Sequence, residues 1–187
     1  MMSTRARVVP VLLASLFLLG ASPDDKPVKD WPLFTAPDGS FSVRLPRKPK
    51  VSGPPTDATY LVRIGDNVTY YVKKQKLPES FKAAPWELLA EAYRDAAVES
   101  FGEYGPSKLL RSETCELSGH PCILFTAEAN PQGFPRTWMI TKLIHMGESA
   151  IGVIHSAPAE GFNQARADEF LATFQLLEGT AKQGSGR

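Results

Sequence analysis

The chain is poor in the residues that most often carry chemistry. Its 187 residues include two cysteines and three histidines. A zinc site built on the cysteines, Cys115 and Cys122, needs two further ligands; His120 could supply one, and no second pair stands near. There is no Gly-x-Ser-x-Gly elbow and no glycine-rich loop opening a helix, so the signatures of serine hydrolysis and of phosphate binding are both missing. Charge of one sign is missing too: 21 basic residues stand against 20 acidic ones. Near-neutrality excludes a dedicated nucleic-acid binder, which works by neutralising phosphates with a basic face. No apolar run is long enough to span a bilayer. The longest, Val8 to Leu19, falls short of the about 20 residues that ~30 Å of hydrocarbon demands.

What is present begins with the ends. The opening MMSTRARVVPVLLASLFLLGAS sets two arginines before the apolar run and the small residues Gly20, Ala21 and Ser22 after it. That order predicts a secretory signal peptide over residues 1–22, cleaved after Ala21 or Ser22, with no cysteine behind it to carry a lipid. Loss of Arg5 and Arg7 with it takes the 21 basic residues to 19, against 20 acidic ones. Residues 23–30, PDDKPVKD, read as a flexible leader and residues 179–187, GTAKQGSGR, as a disordered tail. A single domain is expected over residues 31–178, long enough to bury a core.

Within it, WPLFTAPDGSFSVRLP places a Pro-Asp-Gly turn between apolar segments, and Phe41, Val43 and Leu45 alternate with polar neighbours, a hairpin signal. TYLVRIGDNVTYYVKK gives a second hairpin about Gly65-Asp66-Asn67. Its second run carries Lys73, Lys74 and Lys76, which predicts a solvated or edge strand. From Pro85 the period lengthens: Trp86, Leu89, Ala90, Tyr93, Ala97 and Phe101 recur at helical steps while Glu87, Glu91, Arg94, Asp95 and Glu99 take the other side. Four strand-like runs follow, KLLRSETCEL, PCILFTAEA, RTWMITKLIHM and AIGVIHSA, joined by short turns, which predicts an antiparallel meander. In the third run both alternate sets are apolar, as in a strand covered on both faces. GFNQARADEFLATFQLL closes with Ala167, Phe170, Leu171 and Phe174 on one helical stripe. The expected fold is α+β: an antiparallel sheet of about six to eight strands in hairpins, with helices packed on its faces in an α/β/α sandwich-like arrangement.

The spacing of Cys115 and Cys122 has a consequence of its own. With Ser118-Gly119 as a two-residue turn, Leu117 faces His120, Glu116 faces Pro121 and Cys115 faces Cys122. Pro121 then falls at a non-hydrogen-bonded pair, where its missing N–H costs little, and the cysteine Cα atoms lie about 5.5 Å apart. That is within disulfide reach, and export supplies the oxidising conditions. A structural disulfide is expected, with two free buried thiols as the alternative.

Other features lend themselves to plain readings. Folding the last hairpin about Glu148 sets His145 opposite Ile151 and His155 opposite Thr141, too far apart for one metal. Arg44, Arg47, Lys48 and Lys50 form a basic run that could contact an anionic polymer or surface, or simply be a solvated loop. Asn67-Val68-Thr69 matches the glycosylation sequon at a hairpin tip. No catalytic, cofactor-binding or metal-binding residues emerge, and no cofactor is expected.

Taken together, DGSFSVRLP, the hairpins with an LSGHP turn, RTWMITKLIHMGESAIGVIHSAP and ADEFLATFQLL resemble the PsbP-like superfamily over about residues 31 to 178. That group takes in a photosystem II accessory protein, a Ran-binding nuclear-import factor, bacterial effector chaperones and envelope proteins. The resemblance implies an antiparallel sheet with helices on both sides and a role in binding other proteins, and it transfers no functional residue. The expectation is an exported, periplasmic or extracellular, non-catalytic binding or accessory protein. Its partner would be another envelope protein engaging a sheet surface or an exposed edge, with no nucleic acid and no membrane span after cleavage. Two alternatives stand beside it. One is an enzyme built from the first helix's acids with His145 or His155; the other is a client-specific chaperone-like factor.

Overall fold

The computed structural model describes residues 26–177 other than 83, 102–104, 131 and 134. The expected signal peptide and C-terminal tail lie outside the described residues. The leader expected to be flexible through residue 30 is ordered at its end: Val28–Asp30 form a single 3-10 turn, and Val28 is buried. An apolar side chain three places before the domain's first tryptophan is enough to draw the chain onto the core.

The strands are β1 (Leu33–Thr35), β2 (Phe41–Arg44), β3 (Lys50–Ser52), β4 (Thr59–Ile64), β5 (Val68–Lys76), β6 (Ser107–Leu117), β7 (His120–Ala129), β8 (Thr137–His145), β9 (Ser149–Pro158) and β10 (Gln175–Leu176). The helices are α1 (Glu79–Lys82), α2 (Trp86–Phe101) and α3 (Gln164–Ala172). Seven strands form one antiparallel sheet in the order β3-β4-β5-β9-β8-β7-β6, and β1, β2 and β10 form a second of three. The architecture is α+β, as the periodicities require.

The meander β6 to β9 forms as its short turns dictate. Ser118 and Gly119 both have positive φ, 52° and 77°, the requirement of a type I′ turn, whose twist suits a two-residue hairpin. Leu117 therefore pairs with His120, Glu116 with Pro121 and Cys115 with Cys122. The β8–β9 turn is one residue shorter than expected. Gly147 takes positive φ as the first central residue of a two-residue turn, so His145 faces Ala150 and His155 faces Ile140. A left-handed glycine closes this turn without a third residue.

Strand β5 is a correction. Of the solvated or edge position its lysines suggested, the edge fails: β5 pairs with β4 on one side and with β9 on the other, while Lys73 and Lys76 are exposed. Tyr70 and Val72, on the side of the pleat opposite Lys73, are buried, and Lys74 forms an ion pair with Asp38 at 2.6 Å. Lys73 thus lies on the weakly covered face and Lys74 on the sealed side with Tyr70 and Val72, and neither marks an edge. The closing segment is a second correction: α3 stops at Ala172, and Gln175 and Leu176 pair with Ser42 and Phe41 of β2. Asn163 begins that helix properly, its side chain accepting from the Arg166 N–H at 3.0 Å.

The main sheet has two unlike faces. One is sealed by α3 and the small sheet around an aromatic core: Trp31 meets Tyr70 edge-on at 5.0 Å, Tyr70 meets Phe170 at 5.1 Å, and Phe41 contacts Tyr60 and Phe174. The layer on this side is therefore a helix plus a small sheet, where helices were expected. The other face carries α2, which lies against β6 and β7. Of this helix only Leu89 and Ala90 are fully buried.

Candidate functional site: a cleft between the long helix and the sheet

Because α2 leans toward the β6–β7 edge, the middle of its sheet face is left partly uncovered. A cleft of about 480 Å³ lies there, within the range of small-molecule sites. Its floor follows the ladder. Tyr71, Ile154, Thr141 and Phe125 stand in one cross-strand row; Lys73, Gly152 and Leu143 stand in the next. Gly152 is the gap in that floor, a residue without a side chain among neighbours that have one. A Cβ added there would lie 3.2 Å from Ile154 Cδ1, the far end of a flexible side chain. The roof is Tyr93, Ala97 and Phe101 of α2.

The polar groups of the cleft are few and distinct. Thr141 is 5% exposed and its hydroxyl has no hydrogen-bond partner, an uncommon condition for a buried oxygen. Burial raises the phenol pKa of both Tyr71 and Tyr93, with a Gln75 hydrogen bond to Tyr93 working against the rise. Lys73 is exposed and has no ion-pair partner among the described residues. A second cleft of about 330 Å³ adjoins the first and shares Lys73, Gln75, Tyr93 and Ala96 with it. Lys76 and Asp57 border that extension.

Most residues singled out in the sequence lie elsewhere. Cys115 and Cys122 form a disulfide, Cα atoms 4.8 Å apart, tying the edge strand β6 to β7. This is shorter than the expected spacing and still inside the disulfide range. The basic run divides: Arg44 is half-buried and donates to the Trp31 carbonyl at 2.7 Å, while Arg47, Lys48 and Lys50 are exposed. Asn67 is exposed in the β4–β5 loop.

The histidines do not converge. His145 packs against Trp86 on the α2 face with the rings tilted at 33°, and burial and the nearby His120 lower its pKa. His155 points to the sealed face and is 3% exposed, stacked on Tyr70 at 4.3 Å. Its Nδ1 lies 2.9 Å from the Thr69 carbonyl, so the neutral ring carries its proton there. Burial lowers its pKa to about 4, against the opposing effect of that hydrogen bond. Neither histidine, and none of the acids Glu87, Glu91, Asp95 and Glu99 of α2, lines the larger cleft. Among the described residues no cluster of three metal-ligating side chains occurs.

Sequence reasoning missed the cleft. The one available signal was Gly152 inside AIGVIHSA, a glycine interrupting an otherwise packed strand, which marks a bulge or a close approach.

No protein-family model matches the chain, and no curated protein sequence matches it. Solved structures do. Cyanobacterial PsbP (CyanoP) from Synechocystis sp. PCC 6803 aligns with a TM-score of 0.57 at 9% identity, covering 78% of this chain and 91% of that one. PA94 of Pseudomonas aeruginosa, a protein of unknown function, aligns with a TM-score of 0.48 at 11% identity over 75% of this chain and 92% of that one. At such identity the likeness is one of backbone architecture, and the chain has the PsbP-like fold.

Proposed function

We propose that this chain is an exported, non-catalytic binding module with an accessory role in the cell envelope or extracellular space, and that the cleft under α2 is its binding site. The observation that carries the reading is the cleft itself: an apolar floor opened by Gly152, a buried hydroxyl without a partner, and no histidine, carboxylate or thiol among the described residues of its lining. General acid–base or covalent chemistry needs such a pair within hydrogen-bond reach. The disulfide and the order of the N-terminal segment support export.

A second reading rests on β6. This edge strand of the main sheet is exposed along most of its length, with Leu109 and Leu110 each 40% exposed. A partner protein of the envelope would add a strand there. The bulge between Leu109 and Arg111 and the charges around it blunt that edge, which favours the cleft.

A photoreactive residue placed at Ala96 in the cleft wall, at Leu110 on β6, or at Asp66 in the β4–β5 loop separates the two in cells of the native host. Adducts from Ala96 alone are the expected result. Adducts from Leu110 alone select the edge, and equal labelling at all three positions overturns both. Intact mass of the protein from those cells reports whether the N-terminal segment has been removed.

A further inference from the structure

The site takes one chemical class of ligand in preference to others, given that the cleft is the binding site proposed above. Its floor and roof are apolar at Phe125, Met139 and Phe101, and its depression lies over Gly152. On one side of Gly152, in the same row, stands Lys73, exposed and unpaired among the described residues. On the other side, one pair further along β8, Thr141 holds its partnerless buried hydroxyl. A cation and a hydroxyl donor thus flank one gap, and an apolar channel leads away beneath the helix. At roughly 30 Å³ for each methylene, similar to a water's share of liquid volume, a chain of about twelve carbons fills most of the 480 Å³.

We propose that the cleft binds a single-chain fatty carboxylate. Its head lies over Gly152 between Lys73 and Thr141, one oxygen meeting the ammonium and the other accepting from the Thr141 hydroxyl, which is closed to solvent in the free chain and turns toward the cleft on binding. Its tail runs between Phe125 and Met139 below and Phe101 above. Lys76 at the adjoining mouth adds a second cation, against the single acid Asp57, so the field there favours an anion.

The test is calorimetric titration of the full chain with dodecanoate, dodecanol and dodecyltrimethylammonium, each below its aggregation threshold. Dodecanoate is expected to bind saturably at one site. Lys73→Gln weakens dodecanoate by about fivefold, the upper end for an exposed charge pair, and leaves dodecanol unchanged. Gly152→Leu removes both isotherms, its fold being checked by circular dichroism. Lys73→Gln, a surface change, keeps the test decisive if Gly152→Leu does not fold. The proposal is overturned if dodecanoate gives no saturable isotherm, if the cationic amphiphile binds as tightly, or if Lys73→Gln leaves dodecanoate affinity unchanged. Ala96 adducts without a dodecanoate isotherm would sink the ligand class and leave the cleft standing; absence of both would remove the cleft reading as well.

Discussion

Acid should loosen this fold through one buried ring. His155 is held neutral with a pKa of about 4, whereas the unfolded chain's histidine titrates near 6.5. The groups that face it are the Tyr70 and Phe162 rings, the Thr69 carbonyl and the positive charge of Arg166. Below pH 6.5 the unfolded state takes up a proton that the folded state refuses. Stability is therefore full above 6.5, falls as the pH drops from 6.5 to about 4, and loses nothing further from this group below that. At pH 4.5 the loss is about 2.5 kcal/mol, from roughly 1.4 kcal/mol per pH unit over two units. For a domain of this size that lowers the melting temperature by about 5–10 °C. Urea unfolding followed by tryptophan fluorescence at pH 7.5, 6.5, 5.5 and 4.5 measures it directly. Carboxylates such as Asp38 and Glu128 add their own acid dependence, so the comparison is with His155→Asn, which keeps a donor for the Thr69 carbonyl and cannot titrate. The variant is expected to be less stable at pH 7.5 and to lose about 2.5 kcal/mol less than the native chain on acidification. Parallel pH profiles for the two proteins, or a ring titrating near 6.5 in the folded state by NMR, would refute the reasoning.

Four further outcomes follow from the packing. Replacing both Cys115 and Cys122 with serine releases a short closed loop with a sequence separation of 7; chain entropy predicts a loss of about 2.5 kcal/mol in denaturant unfolding, and a change under about 0.5 kcal/mol would contradict that model. Alkylation of the native protein should label no thiol until it is reduced. Thr141→Val replaces the partnerless hydroxyl with a methyl group and is expected to raise stability by about 1 kcal/mol; a fall of that size would mean the hydroxyl has a partner in solution. Phe170→Ala empties the centre of the aromatic core and should cost about 3–5 kcal/mol, read as a drop in urea midpoint at an unchanged slope; a loss below about 1 kcal/mol would show that the core collapses to fill the space.

Local features of the fold could be read in advance because their causes are local. Ser118-Gly119 sets a two-residue turn, and register, the place of Pro121 and the meeting of Cys115 with Cys122 follow from it. The double apolar alternation of Trp138, Ile140 and Ile144 against Met139 and Leu143 marked β8 as covered on both faces, and it lies between β7 and β9. The errors came where a local signal had a non-local cause. Lys73, Lys74 and Lys76 looked like an edge, yet their strand is an interior one: Lys73 lines the weakly covered face and Lys74 meets Asp38 on the other. Gln175 and Leu176 continued a helical stripe and instead pair with β2, whose free side offers them backbone partners from across the chain.

By itself the sequence determined the long hairpin strands, the two long helices and the pairing of the cysteines, since each depends on residues a few places apart. Only the tertiary structure decided that β5 joins β9, that the small sheet and α3 seal one face, and that α2 leans away to open a cleft over Gly152 between Lys73 and Thr141. Those three residues lie on three different strands, and their meeting depends on sheet order and on where one helix rests. That resting place is set by the balance of contacts over the whole face, a quantity no short stretch of the chain contains.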